Sequence, residues 1–123
     1  MTNICYTFYI KNKNTFDNIK NKKKTIEGRL NKNNKILSLQ NNSYIKFIHY
    51  YNRSNFIELN ARVINIKKYD NFYNMLLNEN INYIIPDAKI IDDGLKIYNS
   101  YYSREQQNIY NISAIYFTII DEL

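Results

Sequence analysis

Along the chain, runs of alternating apolar and polar positions are separated by short Asn- and Lys-rich stretches. Residues 5–10 alternate so that Tyr6, Phe8 and Ile10 share a face, which predicts a strand. Thr15 precedes Phe16 and Ile19 at helical spacing, which predicts a short helix capped by Thr15. Residues 24–30 read as a second strand, with Thr25, Glu27 and Arg29 on one face and Ile26, Gly28 and Leu30 on the other. Polar turns at 31–35 and 40–43 flank a brief apolar run at 36–39. Strands follow at 44–51 and 56–66, joined by the turn NRSN. In the second of these the apolar face shifts from Ile57, Leu59, Ala61 and Val63 to Ile64 and Ile66, which predicts a bulge.

Beyond residue 66 the period becomes helical. Asp70 is the expected cap of a helix carrying Phe72, Tyr73, Leu76 and Leu77. The segment INYIIPDAK is a connector turning at Pro86. A third helix starts near Asp92 and Asp93, carboxylates suited to a helix N-terminus, with a stripe of Ile91, Leu95, Tyr98 and Tyr102. A strand at 112–120 closes the pattern. Five or so strands with three helices predict an α+β fold, a small curved sheet or barrel with helices packed at its edges.

A length of 123 residues favours one domain, taken here as 1–123. With 45% hydrophobic and 23% charged residues the chain can build a core, which argues against disorder. No apolar run spans a bilayer and no signal-peptide cleavage site is evident, so no membrane is expected and a cytoplasmic location is. The 22 Asn, 21 Ile, 13 Tyr and 13 Lys against 3 Ala, 2 Gly and 1 Pro point to an AT-rich genome, that of a virus (hence host cytoplasm) or a low-GC bacterium. Many of the Asn and Lys are therefore expected to be surface drift without a role.

One cysteine, Cys5, cannot form an intramolecular disulfide, and with one histidine, His49, no Cys/His zinc site can be built. No metal or cofactor is expected. His49 sits in FIHYY and reads as a strand-end residue. Charge is uneven. Residues 1–35 carry nine Lys and Arg against two acidic residues, whereas residues 36–123 carry eight against nine. The excess would attract a polyanion, although Lys20, Lys22, Lys23 and Lys24 also read simply as a solvated run.

Two segments carry a resemblance. KTIEGRL, following TFDNIKNKK, is similar to the Lys-Thr-x-Glu-x-Arg signature of the ASCH domain family, a branch of the PUA-like superfamily. KIYNSYYSREQ, followed by a closing strand, resembles that family's Tyr-Tyr-Ser segment. The likeness covers about residues 8–120. It implies a small PUA-like β-barrel of five to six strands with three helices at its edges. There are two departures. Lys22 stands where many members have a turn glycine, so a different backbone geometry is expected there. Pro86-Asp87 stands where relatives commonly have Pro-Gly.

The resemblance implies a groove lined by Lys24, Thr25, Glu27 and Arg29, with Tyr102 and Ser103 approaching from the other side. It would bind RNA or a nucleotide: Lys24 and Arg29 for phosphate, Glu27 for an amine or ring N–H, Tyr102 for stacking. Glu27 and Arg29 also read as a surface pair that neutralises itself. A hydrolytic alternative follows from amidohydrolases of the family acting on N4-acetylcytidine and from members reported as ribonucleases. There a threonine nucleophile lies three positions after the lysine. Here that position is Glu27, and the threonine is Thr25, on the opposite face from Lys24. Lys24 and Glu27 are then the candidate catalytic pair, with Asp87, Asp92 and Asp93 as open choices for a further carboxylate. A third reading is a protein-interaction module built on Tyr50, Tyr51, Tyr98, Tyr101 and Tyr102. Whether the chain is a monomer or a homodimer is left open.

Overall fold

A strand long enough to pair on both sides organises the molecule. In a computed structural model that describes the backbone of residues 4–120 and the side chains of residues 6–120, β4 (Phe56–Tyr69) runs between β3 (Tyr44–Tyr50) and β5 (Ile112–Ile120). β1 (Ile4–Tyr9) adds in parallel to β3, and β2 (Ile26–Leu30) adds antiparallel to β5, giving the order β1-β3-β4-β5-β2. The predicted domain limits, 1 and 123, lie outside the described residues.

The five-stranded sheet curls. β1 and β2 are its opposite edges, yet the Arg29 guanidinium of β2 lies 4.7 Å from the centre of the Phe8 ring of β1. No ladder joins the two edges among the described residues, so the sheet is an open half-barrel. Phe8, Phe47, Ala61, Val63, Ile115 and Phe117 fill its inside. A second core, of Ile26, Leu30, Phe72, Met75, Tyr98, Ile112 and Ala114, lies between the β2–β5 side and the helices. β5 is therefore buried on both faces, which is why its sequence is nearly all apolar. The bulge falls at Val63/Asn65 as the phase shift requires, but Ile64 turns outward, half exposed, and only Ile66 rejoins the inner core. The strand also continues three residues past 66.

Among the described residues six helical segments replace the expected three: α1 (Lys13–Lys20), α2 (Asn34–Leu37), α3 (Phe72–Asn78), α4 (Ile81–Ile84), α5 (Ile91–Tyr101) and α6 (Arg104–Tyr110). The additions are the four-residue turns α2 and α4, too short to show a period, and α6, which a break at Tyr102 separates from α5. Caps explain them. Asn12, Asn33, Asn71 and Asn80 accept backbone N–H groups at the starts of α1, α2, α3 and α4. Thr15 and Asp70 are thus not the caps. Asparagine is among the best N-cap residues, so these four are not drift. Asp93 accepts the Lys89 and Ile90 N–H groups ahead of α5, which holds its carboxyl below the usual range.

Candidate functional site

The turn after α1 delivers the KTIEGR segment. The Lys22 N–H donates to the Ile19 carbonyl and the Lys23 N–H to the Asn18 carbonyl, the paired bonds of a Schellman ending. Lys22 occupies its left-handed position with φ 64°. The different geometry expected there is not found; lysine takes the conformation glycine favours, because the two bonds hold the turn. The chain then runs extended, with the Thr25 N–H donating to the Tyr83 carbonyl of α4, and β2 begins only at Ile26.

Lys24, just ahead of the strand, folds under it. Its ammonium donates to the Ile26 and Ile84 carbonyls, both at 2.7 Å, and sits 3.1 Å from Glu27 Oε1. Arg29 reaches Glu27 Oε2 through Nε and Nη2, both at 2.7 Å. The result is a chain of cation, carboxylate and cation. The Lys24 and Glu27 side chains are 5% and 9% exposed and that of Arg29 is 25% exposed. Burial pushes the Lys24 ammonium down, and the Glu27 charge offsets this only in part. Burial alone would raise Glu27, but the Arg29 and Lys24 charges outweigh it and hold the carboxyl below the usual range. Arg29 is held firmly charged, since the Glu27 charge outweighs burial.

On the other face of β2, a Cβ at Gly28 would come within 2.8 Å of Met75 Cε and 2.9 Å of the Tyr98 hydroxyl, so glycine lets α3 and α5 close on the strand. Phe72 stacks on Tyr98 at 4.0 Å and on Tyr102 at 5.4 Å, fixing the end of α5. Burial raises the phenol pKa of both tyrosines.

A cavity of about 360 Å³ lies where the two sheet edges face each other under the end of α5. Lys24, Glu27 and Arg29 form its floor, Tyr9, Lys11 and Asn12 one wall, and Tyr98, Tyr101 and Tyr102 the other. Ligand pockets commonly start near this size. Two expected lining residues are elsewhere. Thr25 holds α4 and Phe117 through its backbone. Ser103 is the N-cap of α6, exchanging hydrogen bonds with Gln106, a role legible in the sequence Ser-Arg-Glu-Gln. None of the three aspartates lines the cavity. Asp87 accepts from Asn14, Asp93 caps α5, and exposed Asp92 faces another surface.

Tyr9, Lys11 and Asn12 were not expected in the site. Nothing local marks them, since only the curl of the sheet brings β1 to β2. His49 lies one residue before the end of β3, as expected, and is buried. Its Nδ1 lies 2.8 Å from the Ile10 carbonyl, and because a carbonyl only accepts, that nitrogen carries the proton. Lys68 donates to Ser113 Oγ, but Ser113 is 1% exposed and offers a substrate no access. Among the described residues no group of three His, Cys, Asp or Glu could hold a metal ion, and no helix is long and apolar enough to cross a membrane.

Neither a scan against protein-family models nor a search of the curated proteins returns a match to this sequence. Solved structures do match. Hypothetical protein PH0355, known from a crystal structure, is 28% identical with a TM-score of 0.77, over 94% of this chain and 98% of that one. Protein PF0455 from Pyrococcus furiosus, solved by NMR, is 26% identical with a TM-score of 0.72, over 95% and 98%. This chain therefore has the fold of these two proteins nearly end to end, and neither protein's name states an activity.

Proposed function

We propose that the cavity between the sheet edges binds a nucleotide or a residue of RNA, in a PUA-like domain of the ASCH kind. The observation that carries this reading is Arg29. Its guanidinium is fixed from one side by Glu27 and from another by the Phe8 ring, and among the described residues its hydrogen bonds go to Glu27 alone. The remaining N–H groups are left for a ligand, in the planar fork that suits phosphate or a base edge. Tyr9, Tyr101 and Tyr102 supply aromatic faces around it, and exposed Lys11 adds charge at the rim.

The same geometry redistributes the roles expected from the motif. Three acceptors already surround the three donors of Lys24, so it positions Glu27 and ties α4 to β2 rather than meeting phosphate. Glu27 has both oxygens engaged and a depressed pKa, which make it a weak general base. These features support binding over hydrolysis of an acylated cytidine or of RNA.

The test is titration with uridine and adenosine monophosphates at two salt concentrations, wild type beside Arg29→Gln. Binding that weakens about tenfold or more in the variant, and that weakens with salt, is the expected result. Equal binding by both proteins would remove Arg29 from the site. Release of product from N4-acetylcytidine by the wild type would put the hydrolytic reading first.

A further inference from the structure

The cavity does not end at Tyr9. That residue is 61% exposed, and its ring lies 6.5 Å from the ring of Tyr50 with planes 21° apart. Tyr50 in turn lies 5.2 Å from Phe56, its cross-strand partner. Tyr50 and Phe56 are 50% and 46% exposed. Three large rings on three neighbouring strands thus form a line across the outer face of the sheet, starting at the mouth of the cavity. No core needs them there. The inner face at this end is filled by Phe8, Ile10, Phe47 and the buried His49.

Among the described residues, the charges beside this line that are not in ion pairs have one sign. Lys11 follows Tyr9 by two residues. Arg53 stands at the tip of the hairpin joining Tyr50 to Phe56, where Asn52 accepts the Ser54 and Asn55 N–H groups and so orders the turn. Both cations are exposed, and neither is in an ion pair among the described residues. The acidic residue on this stretch of the β3–β4 pair, Glu58, is 3.2 Å from Lys46 and neutralised by it. Exposed rings flanked by free cations match a chain that offers flat faces and regular negative charge.

We infer that the ligand is a single-stranded nucleic acid several nucleotides long. One nucleotide occupies the cavity, and those beside it stack along Tyr9, Tyr50 and Phe56 with their phosphates towards Lys11 and Arg53. The inference rests on the nucleotide reading of the cavity and adds the length and path of the ligand. Stacking of this kind tolerates any base, so affinity should depend on length more than on sequence.

The experiment measures the affinity of uridine monophosphate and of uridine oligomers of two, four and eight nucleotides. The proteins are the wild type, Arg29→Gln, and the double variant Tyr50→Ala/Phe56→Ala. Both replaced rings are half exposed, so the double variant should fold, and its thermal melt checks this. The wild type should bind the octamer at least about tenfold more tightly than the monophosphate. The double variant should lose that gain while binding the monophosphate as before, and Arg29→Gln should weaken both. Affinity independent of length, or octamer binding unaltered in the double variant, would overturn the inference and leave the cavity reading standing. No binding of any of these ligands by the wild type would overturn the two together. A ligand-free dimer in sedimentation that the double variant abolishes, with octamer affinity unchanged, would make the line a self-association surface and overturn the inference in that way.

Discussion

Two carboxylates among the described residues have buried side chains, Glu27 and Glu79, and they are neutralised differently. Glu27 lies between two cations at the floor of a cavity. Glu79, at the end of α3, has a side chain 4% exposed and accepts hydrogen bonds from the phenols of Tyr69 and Tyr116, with Lys67 4.0 Å away. The phenols spend their single donors on the carboxylate, so the second cluster is closed and its work is to hold α3 against β4 and β5. In the first, one cation is fully engaged and the other has donors left over beside open space. A charged group with unspent donors at a cavity is what a ligand site requires; a satisfied one is a fastening.

The largest expected effect tests this contrast on stability. Glu27→Gln leaves two cations facing one amide oxygen and should destabilise by about 3–5 kcal/mol in chemical denaturation. Glu79→Gln keeps an acceptor for a neutral phenol and should cost about 1–3 kcal/mol. Equal losses would dissolve the distinction. Next comes acid. The Glu27 carboxyl is lowered below its ordinary value of 4.5. Its contribution should be complete above that pH and disappear as pH falls through the lowered folded value. The difference in stability between wild type and Glu27→Gln should therefore shrink below pH 4.5, and a difference that stays constant down to pH 2 would contradict the depressed pKa.

On the alkaline side the other cluster responds. Burial, with the Glu79 hydrogen bond and charge, pushes the Tyr69 phenol up to about 12 from 10.0. The raised value makes its contribution complete below pH 10 and lost as pH rises towards 12. Tyr69→Phe should cost about 1 kcal/mol at neutral pH. It should also remove part of the stability loss between pH 10 and 12, which pH-dependent melts of the two proteins would reveal. The smallest effect lies in the turn that feeds the cavity. Lys22→Gly relieves a left-handed side-chain residue and should stabilise by up to about 1 kcal/mol, with ligand binding unchanged. A loss of stability would mean that the extra freedom of glycine in the unfolded chain outweighs the strain.

Local chemistry left clear marks in the sequence. The alternation about Gly28 put Ile26 and Leu30 on one face of β2 and Glu27 and Arg29 on the other, and the structure has them so. The stripe Ile91, Leu95, Tyr98 and Tyr102 packs in the second core as its spacing required. Helix caps were harder to read, since Asn12 and Thr15, or Asp70 and Asn71, are competing caps close together. The choice rests on a few tenths of a kcal/mol between similar residues. The short helices α2 and α4 had too few residues to show a period.

What the amino-acid sequence determined by itself is therefore the set of strands, the main helices and which face of β2 is polar, because side-chain direction follows from period alone. Tertiary structure decided which groups the polar face meets. β2, second of the strands in the sequence, lies at the far edge of the sheet, beside β5, and the curl places it opposite β1. That juxtaposition brings Tyr9, Lys11 and Asn12 to Arg29, while the packing of α4 against β2 commits Lys24 to the Ile84 carbonyl and the Thr25 N–H to that of Tyr83. Strand order and curl come from the joint packing of two cores across distant segments, and no stretch of a few residues carries that information.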